Sequence, residues 1–419
     1  MLFYFWSYKF SMDKVFFRKA SKDDVDEVYE TILSAFGVDE GSERARHYRS
    51  IASDWKNIVV LELEDKIIGV AHIARYVLWY GISEFVKGDV GYVSIRREFQ
   101  GKGYGTFLMD KVVRYMENDG FHISRLGGLI RFYSRFGYVP FPRRYYVFPL
   151  EVVYAGAMKI TPPEYLAISH KDEINIRKYD ATKDYDHVYR LIESFNRGRI
   201  GALKNEKPSK LTASESKSFV YEDNGVITAY LHTYIYDREA VLTGAFDLNH
   251  RRTFAVLLKK VLKELYHRGI RNVKGRFPFD REIEDVFNRN SIYFVKSELF
   301  SYPASNMLLI VNLNGFMKSI LPELKRRVEE ETEGWHGKIE CNVGNDKVFF
   351  KVDGYDIEIL DGDNKISDRI TLDPQDFLLM VLGYRSFKEV YTTGNVSRKL
   401  YSFLDSLFSR RSVATGQLG

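Results

Sequence analysis

The chain is poor in cysteine and has no long apolar run. Its 419 residues include a single cysteine, Cys341, which excludes an internal disulfide framework and a cysteine-ligated zinc site. No apolar run reaches the ~20 residues that a membrane-spanning helix needs. A chain of this length suggests two to four domains. We therefore expect a cytoplasmic globular protein with several hydrophobic cores, no metal and no membrane partner.

The chain also lacks a large net charge, because its basic and acidic residues nearly balance. There are 62 basic and 57 acidic residues, a net charge of +5, and no long basic run. This balance suits a small polyanion as well as it suits a nucleic acid. The opening Met1–Trp6 lacks a basic start and is a poor signal peptide. We hypothesise that translation starts at Met12, just before the first predicted strand.

The most informative stretch is Val90–Leu108. It begins with β-branched and aromatic residues typical of a buried strand. Gly101, Gly103 and Gly105 then stand at every second position, and a helix follows at once. Glycines leave backbone N–H groups accessible, and the first turn of a helix attracts phosphate. The stretch predicts a phosphate or pyrophosphate site, although a plain glycine turn into a surface helix is the other interpretation.

The glycine spacing discriminates between phosphate-binding motifs. It differs from the G-x-G-x-x-G of dinucleotide-binding folds, and no Gly-Lys-Ser/Thr follows as in a P-loop. The run from Gln100 to Gly105 matches Gln/Arg-x-x-Gly-x-Gly/Ala behind a Val-Ser-Ile strand. This combination resembles motif A of the Gcn5-related N-acetyltransferases (GNAT), which holds the pyrophosphate of acetyl-CoA.

The flanking segments follow the GNAT order of elements. Apolar periodicity predicts a strand, two helices and a hairpin before the glycine stretch. After it, Phe132–Pro140 resembles motif B of the family, a short helix that carries Phe-Tyr and ends at Gly137. The predicted elements before the stretch are a strand at 15–19, helices at 25–36 and 41–53, and hairpin strands at 58–63 and 67–73.

The pattern recurs after residue 150 without the glycines. Residues 174–180 echo the first strand, and residues 218–231 echo the hairpin. A strand at 241–246 then leads through Asp247–Phe254 into a helix. We interpret this region as a second GNAT-like fold that has lost its coenzyme loop, because a backbone without glycine cannot approach a pyrophosphate as closely.

From about residue 305 the pattern predicts a small α+β domain. Tandem GNAT-like folds with this tail resemble the enhanced-intracellular-survival (Eis) group, and Leu378–Phe387 is the best match in the tail. The resemblance implies an α+β fold class, with tandem GNAT folds around mixed, mostly antiparallel sheets and a C-terminal sterol-carrier-like domain. Members of the group form hexamers, so we expect a homo-oligomer. The implied division is a catalytic domain at 12–150, a degenerate GNAT-like domain at 151–304, a sterol-carrier-like domain at 305–411 and a tail at 412–419.

The resemblance also implies partners and binding residues. It predicts acetyl-CoA as co-substrate, an amine as acceptor, no metal and no nucleic acid. Three groups of residues are expected along the coenzyme: Val93, Ser94 and Ile95 at the pantetheine arm; Gln100, Gly101, Lys102, Gly103, Tyr104, Gly105 and Thr106 at the pyrophosphate; Gly128 and Leu129 at motif B.

Candidate proton-transfer residues come from the same comparison. Tyr133 is the candidate general acid for the leaving thiolate, because a tyrosine stays protonated at neutral pH and can donate. Tyr138 is its reserve. Family members use the C-terminal carboxylate, here that of Gly419, as part of the base; Glu84 and Asp89 are alternatives. The resulting prediction is an N-acetyltransferase, and the alternative is a non-catalytic acyl-CoA-binding or lipid-binding sensor or scaffold.

Overall fold

The computed structural model describes residues 14–154, 158–160, 165–208, 217–236, 238–362, 365–392, 394 and 396–418. The chain divides into two compact units. Unit 1 comprises the residues up to Tyr76 together with Val86–Tyr138 and Leu309–Asn312. Unit 2 comprises Val77–Phe85, Val139–Leu308 and the chain from Leu313 onwards.

Unit 1 is built on a sheet with strand order β1-β2-β3-β4-β5. The β1–β2 and β2–β3 pairs are antiparallel, whereas β4 and β5 are parallel. Its elements are β1 (Val15–Lys19), α1 (Val25–Phe36), α2 (Glu43–Ala52), β2 (Ile58–Leu63), β3 (Lys66–Tyr80), β4 (Ser83–Ile95), α3 (Tyr104–Asn118), β5 (Ile123–Leu129) and α4 (Ile130–Tyr133).

The core of unit 1 follows from the apolar periodicity of α1. Val28 and Ile32 are fully buried and share a cluster with Val60 of β2 and Val70 of β3. The helix ends at Gly37, which has the left-handed φ of +61° that a helix stop favours. The helix predicted over 25–36 is thereby confirmed.

The first part of unit 2 is built on a sheet with strand order β10-β11-β12-β13-β14-β7-β15. Helix α7 contributes a long apolar face to its core, including Phe254, Leu258 and Leu262. The elements are β6 (Val139–Pro140), β7 (Arg143–Pro149), β8 (Val152–Tyr154), β9 (Met158–Ile160), α5 (His170–Ile174), β10 (Ile176–Lys178), α6 (Ala181–Asn196), β11 (Lys217–Asp223), β12 (Val226–Tyr236), β13 (Glu239–Phe246), α7 (Arg251–His267), β14 (Asn272–Gly275), α8 (Arg281–Arg289), β15 (Val295–Leu299) and β16 (Ala304–Ile310).

The remainder of unit 2 has a smaller sheet with strand order β19-β18-β17-β20. Cys341 lies on β17 and is buried, and burial raises the pKa of its thiol to about 12, so the group is an inert part of the core. The elements are α9 (Leu313–Glu331), β17 (Trp335–Val343), β18 (Asp346–Gly354), β19 (Asp356–Leu360), β20 (Asp368–Leu372), α10 (Pro374–Val381), α11 (Phe387–Val390), α12 (Arg398–Leu407) and α13 (Thr415–Leu418).

Both units contain the same ion-pair network. In each, an arginine on the first strand donates from Nε to a glutamate of the following hairpin and from Nη1 to an aspartate near the next helix. Such a shared detail supports the internal repeat that the sequence predicts. The partners and distances are Arg18 with Glu62 (2.7 Å) and Asp24 (2.7 Å), and Arg177 with Glu222 (2.6 Å) and Asp184 (2.6 Å).

The two copies differ at the loop that contains Gly101 and Gly103 in unit 1. In unit 1, the 3-10 turn Arg97–Phe99 is separated from α3 by residues 100–103. In unit 2, the 3-10 turn Leu248–His250 runs directly into α7. The second copy therefore lacks the loop, as the missing glycines predict.

The arrangement agrees with the predicted fold class, a mixture of helices with mostly antiparallel sheets. In the part of the chain that the structure covers, no helix is both long and apolar enough to cross a membrane.

Candidate active site

Strands β4 and β5 run side by side and then separate. Their parallel register joins Lys87–Val90 to Ile123–Leu126, and both strands continue beyond the last pair. Just past it Tyr92 has a φ of +50°, rare for a residue with a side chain. The Ser94 hydroxyl donates to the Tyr92 carbonyl oxygen at 2.8 Å and holds this conformation. The backbone therefore departs from regular strand geometry at Tyr92, immediately before Val93.

A tight loop joins β4 to α3. The Gln100 side chain closes it by donating from Nε2 to the Ile95 carbonyl at 2.9 Å. Gly101 and Gly103 have φ values of +75° and +88°, which only glycine adopts without cost. The N–H groups of the first helical turn, from Tyr104 onwards, have no acceptor within the helix. The loop is thus an open cradle of backbone donors that fits a pyrophosphate.

The side chains of Lys102 and Tyr104 in and after the loop make contacts within the protein. Lys102 donates from Nζ to the Glu98 carbonyl at 2.8 Å, so it stabilises its own turn. Tyr104 is buried with its ring 6.0 Å from Phe99. Thr106 lies half-buried one residue after Gly105 in α3. The predicted pyrophosphate contacts therefore fall on the backbone of this segment.

Tyr133 lies against the backbone of β5 because Gly128 has no side chain. A Cβ built on Gly128 would come within 2.2 Å of Tyr133 Cε2. The ring is half-buried, edge-on to Phe132 at 4.9 Å. Burial raises the pKa of the Tyr133 phenol above its usual value of about 10. The absence of a side chain at Gly128 thus lets the protonated phenol of Tyr133 pack against β5. The next residue of that strand, Leu129, is 56% exposed.

Tyr138 is unsuited to the reserve role. Its ring is fully buried, and its hydroxyl lies 2.7 Å from Ser124 Oγ. Burial raises the pKa of Tyr138 further than that of Tyr133. The group is part of the core beneath the site.

The candidate bases differ in their surroundings. Asp89 Oδ1 lies 2.8 Å from Nζ of the fully buried Lys87, and Arg125 Nη1 is 3.6 Å from Oδ2. Burial lowers the pKa of Lys87 to about 8 against the opposing effect of Asp89. Glu84, in unit 2, is paired with Lys204. Gly419 lies outside the described residues.

Two histidine pairs near Tyr92 were not predicted from the sequence. His47 Nε2 is 2.7 Å from the Tyr92 hydroxyl, and His72 Nε2 is 2.8 Å from Asp54 Oδ2. The rings of His72 and Tyr92 are edge-on at 6.1 Å. These residues come from α2, the turn before β2, β3 and β4, so no sequence spacing connects them. The only sequence feature that pointed to these pairs was His72, a single histidine in the strand predicted at 67–73.

Metal ligands are not grouped at this site. Among the described residues, no cluster of three His, Cys, Asp or Glu side chains is arranged to hold a metal ion.

Comparisons with known proteins bear on both units. Residues 17–141 match the family described as Acetyltransferase (GNAT) domain. No curated protein sequence matches the chain. A GCN5-related N-acetyltransferase from Anabaena variabilis ATCC 29413 has 16% sequence identity and a TM-score of 0.66, over 95% of this chain and 98% of that chain.

Two further solved structures extend the comparison. A conserved protein of unknown function from Enterococcus faecalis V583, a probable N-acyltransferase, has 13% identity and a TM-score of 0.66 over 95% of this chain and 97% of that one. Eis1 from Mycobacterium abscessus has 14% identity and a TM-score of 0.58 over 96% and 99%. At such identities the likeness establishes the fold. The family match covers residues 17–141, and the likeness to the solved structures shows a shared fold along most of the chain.

Proposed function

We propose that the chain is an acetyl-CoA-dependent N-acetyltransferase that acts on a primary amine by direct attack in a ternary complex. The observation that carries this proposal is the glycine cradle at the start of α3 together with Tyr133 of α4, whose ring packs on Gly128 of β5. The Anabaena structure is named an N-acetyltransferase and the Enterococcus structure a probable N-acyltransferase. Both names agree with an acyl-CoA donor and an amine acceptor.

The proposed donor site follows from the backbone. The N–H groups from Gly101 to Thr106 face the pyrophosphate, where charge-assisted hydrogen bonds are strong. Val93, Ser94 and Ile95 line the pantetheine arm, and a backbone N–H of this segment polarises the thioester carbonyl. Gly128 and Leu129 flank the arm from β5.

The proposed chemistry forms one C–N bond and breaks one C–S bond. The amine nitrogen attacks the thioester carbon, and the thiolate leaves and takes a proton from the Tyr133 hydroxyl. The proton that the nitrogen loses as the amide forms restores the Tyr133 phenol. The amine must first lose a proton to become a nucleophile. We assign this step to His72, which Asp54 orients and whose ring lies edge-on to that of Tyr92. The carboxylate of Gly419 and the side chains of Asp89 and Glu84 are the other proposed bases.

Replacing the Tyr133 hydroxyl tests the proton donor. We expect Tyr133→Phe to lower kcat about 10²-fold, the lower range for loss of a general acid, with little change in acetyl-CoA binding. Tyr138→Phe is the matched control and should keep kcat within about threefold of wild type, because its hydroxyl is sealed in the core. Thiol release is measured with a panel of primary amines. Because the Tyr133 pKa is raised, its deprotonation should not reduce the wild-type rate below about pH 10.

The outcomes separate the two function classes. Amine-dependent release that falls in Tyr133→Phe alone supports the enzyme and its donor. Equal release in both variants discards Tyr133 as the acid. Coenzyme binding without release across the panel favours the sensor or scaffold function, and failure to bind acetyl-CoA refutes the donor site itself.

The proposed base gives a separate prediction. His72→Gln should lower kcat/KM about 10²-fold, because the amine then lacks its proton acceptor. His47→Gln, which alters the other histidine near Tyr92, serves as the comparison and should keep kcat/KM within about threefold of wild type. An unchanged kcat/KM in His72→Gln would reassign the base to one of the three carboxylates.

We further propose the domain division that the family resemblance implies. It comprises a catalytic domain at 12–150, a GNAT-like domain at 151–304, a sterol-carrier-like domain at 305–411 and a tail at 412–419. We also propose that the chain assembles into a homo-oligomer, as the resemblance to the Eis group implies. Light scattering of the purified chain measures this assembly directly.

A further inference from the structure

Unit 2 contains a cavity of about 300 Å³ that the proposed acetyl transfer does not use. It forms where the parallel strands β13 and β14 stop pairing. The last registered pair is Leu242 with Gly275, and the residues that follow them, Thr243 and Arg276, both line the cavity. We call this space the β13 cavity. Its size is at the lower end of the range of about 300–1,000 Å³ for small-molecule sites.

A buried imidazole borders the β13 cavity. His232 on β12 is 1% exposed, and its Nδ1 lies 2.6 Å from Ser218 Oγ. Its Nε2 is buried without a hydrogen-bond partner among the described residues. Burial lowers the pKa of His232 to about 4, so the ring is neutral at pH 7.

A second polar group lacks a partner at the same cavity. Thr415, at the start of α13, is 1% exposed, and its Oγ1 has no partner in the described structure. A buried polar group without a hydrogen bond costs about 1–3 kcal/mol. A ligand that brings a neutral polar group between these two side chains would remove this cost.

The walls and the mouth have different chemistry. Phe195, Tyr230 and Tyr234 contribute aromatic walls, and the Tyr234 ring is 4.2 Å from the His232 ring. Lys207 and Arg276 are exposed and bring two cations to the lining.

One carboxylate, that of Glu206, is among the lining residues. It accepts a hydrogen bond from Asn196 Nδ2 at 2.7 Å, and burial raises the pKa of its carboxyl group. The cavity therefore combines a buried neutral imidazole, aromatic walls and two exposed cations.

We propose that the β13 cavity binds a small aromatic carboxylate that carries a hydroxyl group at the end opposite its carboxylate. The hydroxyl bonds His232 Nε2, the ring lies among the aromatic walls, and the carboxylate faces Lys207 and Arg276. The site lies within unit 2 and does not depend on the proposed acetyl transfer.

Direct binding to the full chain tests the site with two matched probes. 4-Hydroxyphenylacetate carries both polar ends, and phenylacetate lacks the hydroxyl. By isothermal titration calorimetry, we expect wild type to bind 4-hydroxyphenylacetate at least about tenfold more tightly, equivalent to about 1.4 kcal/mol. Acetyl-CoA is absent, so the result is independent of the coenzyme site.

Variants locate the two ends of the ligand. His232→Gln should remove the preference between the probes, and Arg276→Ala should weaken both about tenfold. Arg268→Ala changes an exposed arginine away from the cavity and should bind as wild type does. Each variant is checked for a native thermal transition, and Arg276 is exposed, so its loss leaves the core intact.

Three results would overturn the proposal. They are no binding of either probe to wild type at millimolar concentration, equal binding of both probes to wild type, and binding that persists unchanged in both His232→Gln and Arg276→Ala. The first result would indicate that the cavity holds only water.

Discussion

Gly103→Val is expected to lower kcat/KM for acetyl-CoA about 10³-fold. The φ of Gly103 is +88°, a region that a β-branched residue does not adopt, so the backbone of the cradle must rearrange. Hydrogen bonds to a charged group contribute about 1.5–3 kcal/mol each, and two lost N–H contacts account for the expected factor. Steady-state kinetics at varied acetyl-CoA, with calorimetric binding of the coenzyme, measure the effect.

A matched glycine separates strain from function. Gly225 in the β11–β12 turn has a φ of +80° and open space around the position of a Cβ. Gly225→Val should lose comparable stability and keep wild-type kcat/KM. If Gly103→Val and Gly225→Val have the same activity, the cradle does not hold the coenzyme and the donor site must be elsewhere.

Glu323→Ala is expected to lower the free energy of unfolding of unit 2 by about 3–5 kcal/mol. Glu323 in α9 is 2% exposed and accepts from Arg327 Nε at 2.7 Å and from Arg326 Nη2 at 2.8 Å. Its carboxylate also occupies the space where Gly81 would carry a side chain, with Cδ 2.1 Å from the position of a Cβ. Removing it leaves the buried Arg327 guanidinium without its anion. Glu330→Ala, at the exposed end of the same helix, should cost less than about 1 kcal/mol.

The Glu323 carboxylate also predicts that the free energy of unfolding falls at acidic pH. Burial raises the pKa of Glu323, but Arg326 and Arg327 outweigh it and lower the value from 4.5 to about 2. The lowered pKa contributes about 3 kcal/mol above pH 4.5, and this stabilisation is lost as the pH falls towards 2. In urea titrations, the difference between wild type and Glu323→Gln should therefore shrink over this range. A difference that is constant from pH 7 to pH 2.5 would refute the ionic role.

The sequence predicted the local elements well because each has a strong periodic or turn signal. The helix at 25–36 and the first hairpin strand at 58–63 have their predicted bounds, whereas the second strand, predicted at 67–73, extends from Lys66 to Tyr80. The positive φ of Tyr92 was not predictable, because tyrosine carries no preference for that conformation. Tyr92 lies two residues beyond the last registered pair of β4 and β5, a position that depends on tertiary pairing.

The candidate site was predictable in its backbone and less so in its side chains. The alternating glycines predicted the cradle. The role of Gly128, which is to leave room for the Tyr133 ring, depends on tertiary packing and was not predictable. His72 and Asp54 meet only through the turn of the chain before β2. A contact of this kind joins distant segments and produces no characteristic residue spacing in the sequence.

The last segment of unit 1, Leu309–Asn312, is translated long after the rest of the unit. Leu309–Asn312 belong to this unit, and the Val311 N–H donates to the His122 carbonyl at 2.9 Å. Ribosomes add about 5–20 residues per second, so on the order of ten seconds separate the emergence of Tyr138 from that of Leu309. During this interval one side of β5 is an open strand edge, the kind of surface that promotes aggregation or recruits a chaperone. A recombinant fragment that stops at Tyr138 would keep that edge permanently, so isolating this unit calls for a circular permutant that carries residues 309–312.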